Sequence, residues 1–297
     1  IEKEKLNVDM YALNSRVNDL YFGILLLDEQ LKQNALLQDE LERNYRQITA
    51  YVENGIANQA DLDAVKVEQL NTKQKRVELV SSRMAYLKML SLLVGEKLSQ
   101  ETVLEKPVPQ DDISAVGEIR RPELSLFNAQ GVGLQVQEKA LNVRHLPQFG
   151  LFVQGAYGNP GLNMLKNEFS PYYIAGVRLS WNFGSLYTLK NDRKVIENKR
   201  RQLDNNRDVF LFNTRLEMTQ QDQAIQSLEK QMQDDDEIIR LRTNIRKSAE
   251  AKVANGTLTV TEMLRELTNE SLARQSKALH EIQRLMGIYQ LKYTTND

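Results

Sequence analysis

The sequence predicts a mainly α-helical protein in which long antiparallel helices form coiled coils and one β-hairpin lies between them. The turn dipeptide Asn54-Gly55 recurs as Asn255-Gly256, and a long helical pattern flanks both turns. Residues 145–184 differ from the rest because they have a period of two, which is typical of β-strands. These observations predict two helical hairpins with a β-hairpin between them.

The two helical hairpins are interpreted as an internal twofold repeat. From Asn54 to Asn255 the offset is 201 positions, and it holds without a gap over about ninety residues. A fixed register of that length is hard to obtain by chance. Residues that match at this offset include Ile24 and Ile225, Gln30 and Gln231, Arg83 and Arg284, and Leu87 and Ile288.

Each turn has a simple physical explanation. Asn and Gly both tolerate the left-handed conformation that ends a helix. Asn58 after the first turn, and Thr259 or Thr261 after the second, are predicted N-caps of a returning helix. Asp61 and Glu262 then fall in the first helical turn, where the helix dipole favours a carboxylate. An ordinary helical hairpin explains these residues equally well.

Helical periodicity gives the extent of the first hairpin. We predict a helix over about residues 4–53 and a return helix over about 59–94, which Gly95 ends. Their apolar seams follow alternating spacings of three and four, as in coiled coils. The seams are Leu20, Ile24, Leu27 and Leu31 on the first helix, and Val77, Val80, Met84 and Leu87 on the second.

A connecting segment follows over residues 96–121, with a short helix predicted near 111–116. Arg121-Pro122-Glu123-Leu124 begins the next helix, because proline suits the first helical turn and an acid suits the position after it. This helix runs to about residue 144.

The predicted β-hairpin has two distinct faces. In its second strand, Tyr173, Ala175, Val177, Leu179, Trp181 and Phe183 lie on one face, and Gly176, Arg178, Ser180 and Asn182 lie on the other. This pattern matches one hairpin of a transmembrane β-barrel, but also a soluble hairpin that packs on a core. Two strands alone are unstable, so others must come from other subunits or from missing sequence.

The remainder of the chain is helical. A helix of about 70 residues is predicted from Gly184 to Asn255, and a last helix follows over about 260–293. The acidic run Asp234-Asp235-Asp236-Glu237 is interpreted as a solvated face rather than a cation site, because successive helical residues point in different directions.

Composition narrows the classes of function. The 297 residues carry a net charge of −1, which gives no reason to expect a nucleic-acid partner. Charged residues make up 27% of the chain and the mean hydropathy is −0.50, which suits long solvated helices. There is no cysteine, and His145 and His280 are isolated, so we expect no metal site, no cofactor and no enzymatic activity.

Several stretches, in this order along the chain, resemble the TolC-like outer membrane efflux proteins. They are Arg121-Pro122-Glu123-Leu124 at a helix start, Gly155-Ala156-Tyr157-Gly158 at the end of a strand, the stretch from Gly176 to Gly184 (GVRLSWNFG), and the two Asn-Gly turns with an acid six residues later. The resemblance covers essentially the whole chain. It implies a homotrimer whose β-barrel crosses the outer membrane of a Gram-negative bacterium and continues into a periplasmic α-helical barrel.

The resemblance also implies partners and sites. A periplasmic adaptor, working with an inner-membrane pump, is expected to dock on the turn residues Asn54, Gly55, Ile56, Asn255, Gly256 and Thr257. Asp61 and Glu262 are the expected pore-gate acids. The residues expected to face the lipid of the outer membrane are Tyr173, Val177, Leu179 and Trp181.

The resemblance divides the chain into five segments. They are a first periplasmic hairpin (1–95), an equatorial connecting segment (96–121), a helix leading to the barrel (122–144), an outer-membrane β-hairpin (145–184) and a second periplasmic hairpin (185–297). The first repeat lacks its strand pair, so we expect an N-terminally truncated chain. Leu258 stands where some relatives have an arginine that ties the tip closed, so a latch to Asp61 is not expected.

The expected function is that of a passive trimeric conduit. It is the outer-membrane channel of a tripartite efflux or type I export system, gated at its periplasmic helical tips. The alternative is a soluble coiled-coil scaffolding protein with no transport role. Extraction from membranes separates the two, since only the channel requires detergent.

Overall fold

The structure is a computed structural model that describes residues 1–108, 118–144, 146–165 and 167–296. The predicted short helix near 111–116 and His145 lie outside the described residues. By its internal contacts the chain divides into two compact units. The smaller unit contains Ile1–Lys5 and Glu123–Phe210, and the larger unit contains Leu6–Pro122 and Leu211–Asp297. The five predicted segments stay a prediction.

Within the described ranges, five helices and one antiparallel strand pair make up the regular structure, which confirms the predicted fold class. The helices are α1 (Glu2–Glu53), α2 (Gln59–Val94), α3 (Pro122–Arg144), α4 (Gly184–Ala254) and α5 (Val260–Thr295). The strands are β1 (Gln148–Gly158) and β2 (Ser170–Ser180). No helix in these ranges has an apolar stretch long enough to cross a membrane.

The larger unit has its main hydrophobic core beside the two Asn-Gly turns. This turn-proximal core contains Leu41 and Ile48 of α1, Val65 of α2, Ala249 and Val253 of α4, and Val260, Met263, Leu264 and Leu267 of α5. Ala57 and Leu258, each two residues after a turn glycine, pack against it. Both turns therefore lie at the same end of this unit, as the predicted duplicated hairpin requires.

The packing of α1 and α2 corrects one predicted seam. Leu20 and Ile24 of α1 are buried as predicted and pack against Leu87 of α2. Val77, however, is 63% exposed, whereas Leu79 is 5% exposed. Because α2 carries apolar residues on more than one stripe, its rotation against its neighbours decides which stripe is buried.

In the smaller unit, α3 packs along the first part of α4. The Phe127 and Phe210 rings lie 5.9 Å apart, and Arg200 Nη2 donates a hydrogen bond to Glu138 Oε2 at 2.6 Å. A Cβ atom added at Gly133 would lie 3.0 Å from Ile1 Cδ1. The small residue at position 133 therefore lets the Ile1 side chain approach α3 closely.

The strands of the β-hairpin pair with Phe149 opposite Leu179 and Leu151 opposite Val177. β2 ends at Ser180, so the expectation that it extends to Phe183 is wrong, and Trp181 lies beyond the strand. The reason is local. Asn182 Oδ1 accepts a hydrogen bond from the Gly184 amide at 3.1 Å, and this side-chain turn leads the chain out of the sheet into α4.

Candidate functional site

The two Asn-Gly turns are built alike. The Gly55 amide donates to the Val52 carbonyl at 3.1 Å, and the Gly256 amide donates to the Val253 carbonyl at 2.9 Å. Both glycines have a left-handed backbone, with φ of 72° and 68°, and a residue with a Cβ atom rarely adopts this conformation. All six turn residues predicted to dock an adaptor are exposed. The turns are accessible, and their docking role stays a prediction.

The two predicted gate acids each complete a capping box at the start of a helix. Asn58 Oδ1 accepts from the Asp61 amide at 3.0 Å, while Asp61 Oδ2 accepts from the Asn58 amide at 3.1 Å. Thr259, and not Thr261, caps α5 in the same way with Glu262. Hydrogen bonds from the Thr259 hydroxyl and backbone hold the pKa of Glu262 below its ordinary value. These acids start helices, and their role at a pore gate stays a prediction.

Two side-chain contacts between the helices of the first hairpin recur in the second at the offset of 201. They are Asp28–Arg83 with Glu229–Arg284, and Glu42–Gln69 with Thr243–Glu270. The Gln69 and Thr243 hydrogen bonds measure 3.0 and 2.8 Å. This matching geometry agrees with the predicted duplication, which stays a prediction.

The second hairpin adds a charged cluster that the sequence analysis missed. Glu270, whose side chain is 7% exposed, accepts hydrogen bonds from Thr243 at 2.8 Å, Arg246 at 2.5 Å and Arg274 at 2.6 Å. Arg246 also contacts Glu250. Two of these pairs, Glu270–Arg274 and Arg246–Glu250, could have been found in the sequence, because oppositely charged residues four positions apart on a helix are neighbours. The contact from α4 to α5 depends on the relative rotation of both helices.

Opposing effects act on the charges of this cluster. Burial alone would raise the pKa of the Glu270 carboxyl, but hydrogen bonds from Arg274, Arg246 and Thr243 lower it overall. Burial alone would lower the pKa of Arg246, but its hydrogen bond to Glu270 and the charge of Glu250 raise it overall. Both groups are therefore charged at neutral pH, and the cluster joins α4 to α5 electrostatically.

The acidic run in α4 was predicted to be a solvated face, and this prediction is only partly correct. Asp235 is buried, and its Oδ2 lies 2.9 Å from His280 Nδ1 on α5, so His280 is not isolated either. Asp236 binds Lys277 at 2.5 Å, and Glu237 binds Arg240. A run of acids has residues on every side of a helix, and α5 covers the side that carries Asp235.

The β-hairpin exposes an apolar face. Tyr173, Val177 and Leu179 are 79%, 67% and 59% exposed in the structure. On the opposite face, the Phe152 ring lies over Gly176, where an added Cβ atom would come within 2.9 Å of it. The Arg178 guanidinium lies 5.5 Å from the centre of the same ring. The two faces therefore differ in chemistry as predicted, while contact with lipid stays a prediction.

Comparison with known structures identifies similar folds. The chain is similar to the CmeC outer membrane channel of Campylobacter jejuni, with a TM-score of 0.77, 13% identity, and coverage of 99% of this chain and 66% of that one. It is also similar to the outer membrane protein VceC of Vibrio cholerae, with a TM-score of 0.77 and 13% identity; the match covers 99% of this chain and 71% of VceC. For the open state of the MtrE outer membrane channel of Neisseria gonorrhoeae, the TM-score is 0.74 and the identity is 12%; the match covers 98% of this chain and 67% of MtrE.

Sequence comparison alone does not find these relationships. No protein-family model matches the chain, and no curated protein matches it. The chain spans about two thirds of the length of the channels that it resembles. At these identities the likeness concerns the fold, and the similar proteins are channels rather than enzymes.

Proposed function

We propose that this chain, which has the fold of the TolC-like outer membrane channels, belongs to the outer-membrane component of a tripartite efflux or type I export system. The observation that carries the proposal is the match of nearly the whole chain, hairpins and strands together, to such channels. The protein is a passive conduit in the outer membrane with a periplasmic helical extension. It is a homotrimer and has no catalytic activity.

A difference between the two helical hairpins supports the homotrimer. Val65 of the first hairpin is buried in the turn-proximal core, whereas its equivalent at the offset of 201, Glu266, is only half-buried. Glu266 lines a groove of about 450 Å³ on the second hairpin. Ile245, Ala249 and Leu258 contribute apolar groups to the same groove. The face that the first hairpin uses for packing is thus open on the second.

A second face of the hairpins shows the opposite difference: it is buried on the second hairpin and exposed on the first. Leu264 and Leu267 of the second hairpin are buried against the first, whereas their equivalents Asp63 and Lys66 are exposed. The open face of the second hairpin can therefore receive the open face of the first hairpin from a neighbouring copy, head to tail. Glu266 and the neighbouring copy's Lys66 have opposite charges, which favours this pairing.

At the turns, the exposed docking residues and the two acids have separate roles in the proposal. The adaptor contacts Gly55 and Gly256 with the residues beside them, since small or apolar side chains at an exposed turn are free for a partner. Asp61 and Glu262, each present three times in a trimer, form the acidic collar of the gate. A ring of carboxylates in a pore attracts cations and so makes the pore selective for them.

The test reconstitutes the full-length protein in planar lipid bilayers. We expect extraction to need detergent, the purified protein to be a trimer, and single channels to conduct. The double variant Asp61→Ala, Glu262→Ala is expected to stay folded, since an exposed carboxylate in the first turn of a helix contributes little to stability. Its cation block or selectivity is expected to change, whereas Glu78→Ala, which removes an exposed acid farther along α2, leaves both unchanged.

Two results would contradict these proposals separately. A full-length protein that leaves the membrane fraction without detergent and gives no conductance rejects the channel and supports the scaffold. A conducting double variant with unaltered cation sensitivity leaves the channel in place but reduces Asp61 and Glu262 to helix capping.

A further inference from the structure

A buried histidine–aspartate pair joins α4 to α5 at a level where the first hairpin is uncharged. The His280 and Asp235 side chains are 19% and 6% exposed, with 2.9 Å between Nδ1 and Oδ2. At the offset of 201 the equivalent residues are Leu79 and Asn34, both buried. Asn34 Nδ2 donates to the backbone carbonyl of Thr72 at 3.1 Å. A titratable contact in one hairpin thus replaces a neutral one in the other.

The charged groups around this pair are engaged with one another. On the same two helices, Lys277 binds Asp236 at 2.5 Å and Arg284 binds Glu229 at 2.8 Å. The charged residues that line the adjacent groove are Asp28, Glu29 and Lys32 of α1, Arg83 of α2, Lys106 of the connecting segment and Glu281 of α5. Lys106 binds Glu281 at 2.7 Å, and Arg83 binds Asp28. The buried Asp235 carboxylate contacts His280 directly, and it also interacts with the charge of Lys277 one helical turn before His280.

We propose that protonation of His280 controls how tightly α5 packs on α4, so that the second hairpin responds to pH and the first does not. Protonated His280 forms an ion pair with Asp235, and a charge-assisted hydrogen bond is roughly twice as strong as a neutral one. When the imidazole is neutral, the buried carboxylate keeps a weaker donor. A buried charge without full compensation is costly.

The direction of the response follows from this chemistry. The contact between α4 and α5 is stronger when His280 is protonated than when it is neutral, so it is stronger in mild acid than in mild base. Glu262 lies in the first turn of α5, so the same helix runs from the pair back to the second Asn-Gly turn. The meaning of this response for gating rests on the proposed function.

Hydrogen–deuterium exchange of the full-length protein in detergent tests the inference. Exchange at pH 5.5 and pH 8.0 is compared after correction for the intrinsic rate, for segments 230–240 and 275–285. We expect corrected exchange there to rise by about three- to tenfold toward pH 8.0, since local opening follows the strength of local contacts. Segments 29–39 and 74–84, at the equivalent positions, serve as the internal control and are expected not to change.

The variant that copies the first hairpin, Asp235→Asn with His280→Leu, is expected to lose the response. If circular dichroism shows that it is misfolded, His280→Gln provides the same test, because it keeps a neutral donor beside Asp235. An equal response in both hairpins, or a response that survives in the folded variant, overturns the inference. Conductance is measured separately, so a non-conducting protein that keeps the response rejects only the proposed channel.

Discussion

Replacing Glu270 by alanine removes the carboxylate to which three side chains of α4 and α5 donate hydrogen bonds. Breaking a buried ion pair costs about 3–5 kcal/mol, because the remaining charge is left uncompensated. Here the cost is smaller for two reasons. Arg246 keeps its contact with Glu250, and the Arg274 side chain is 43% exposed, so water replaces its partner. We expect Glu270→Ala to lower the free energy of unfolding by about 2–3 kcal/mol.

The measurement is thermal unfolding of the helices by circular dichroism, at one fixed scan rate because large assemblies often unfold irreversibly. For a chain of 297 residues, a loss of about 2–3 kcal/mol lowers the apparent Tm by roughly 3–5 °C. Gln69→Ala is the matched control. It removes two hydrogen bonds at an exposed site of the first hairpin, one from Gln69 to Glu42 and one from Lys66 to Gln69. Position 69 is the equivalent of position 270. We expect a loss of about 0.5–1 kcal/mol there.

The pH dependence of the same comparison follows from the lowered pKa of Glu270. A carboxyl with a lowered pKa contributes its full stabilisation above the pKa of the unfolded chain, near 4.3, and loses it as the pH falls through the folded value. The Tm difference between the wild type and Glu270→Ala is therefore expected to be constant near neutral pH and to shrink below about pH 4. Equal effects of Glu270→Ala and Gln69→Ala at pH 7 would refute this reasoning.

Two further predictions concern the second turn and the β-hairpin. Gly256→Val forces a β-branched residue into a backbone with φ of 68°, where an added Cβ atom meets no other atom within 4 Å, so the cost is backbone strain of roughly 1–2 kcal/mol. We expect a lower Tm and weaker crosslinking to the adaptor, with Gly256→Asn affected less; an unchanged Tm in Gly256→Val would contradict this. In membranes, a cysteine at Leu179 is expected to resist a water-soluble thiol reagent, while one at Arg178 reacts, and the reverse pattern would overturn the assignment of the faces.

The sequence predicted the features that depend on neighbouring residues. The left-handed turns at Gly55 and Gly256, the capping acid Asp61 and the start of α3 at Pro122 all follow from local backbone preferences, and the structure has each of them. The predicted helix bounds are within a few residues for the same reason. The alternation that defines the faces of the β-hairpin is likewise local, because successive strand residues point to opposite sides.

The tertiary structure decided the contacts between separate helices. It selected Leu79 rather than Val77 for burial, brought His280 to Asp235, and joined Glu270 to Arg246. Periodicity shows that a helix has an apolar stripe, but it gives neither the rotation of that helix about its axis nor its axial shift against a partner. Those two quantities determine which side chains meet across the interface. They are fixed when all helices of the unit pack together, and a single helix in the sequence does not contain them.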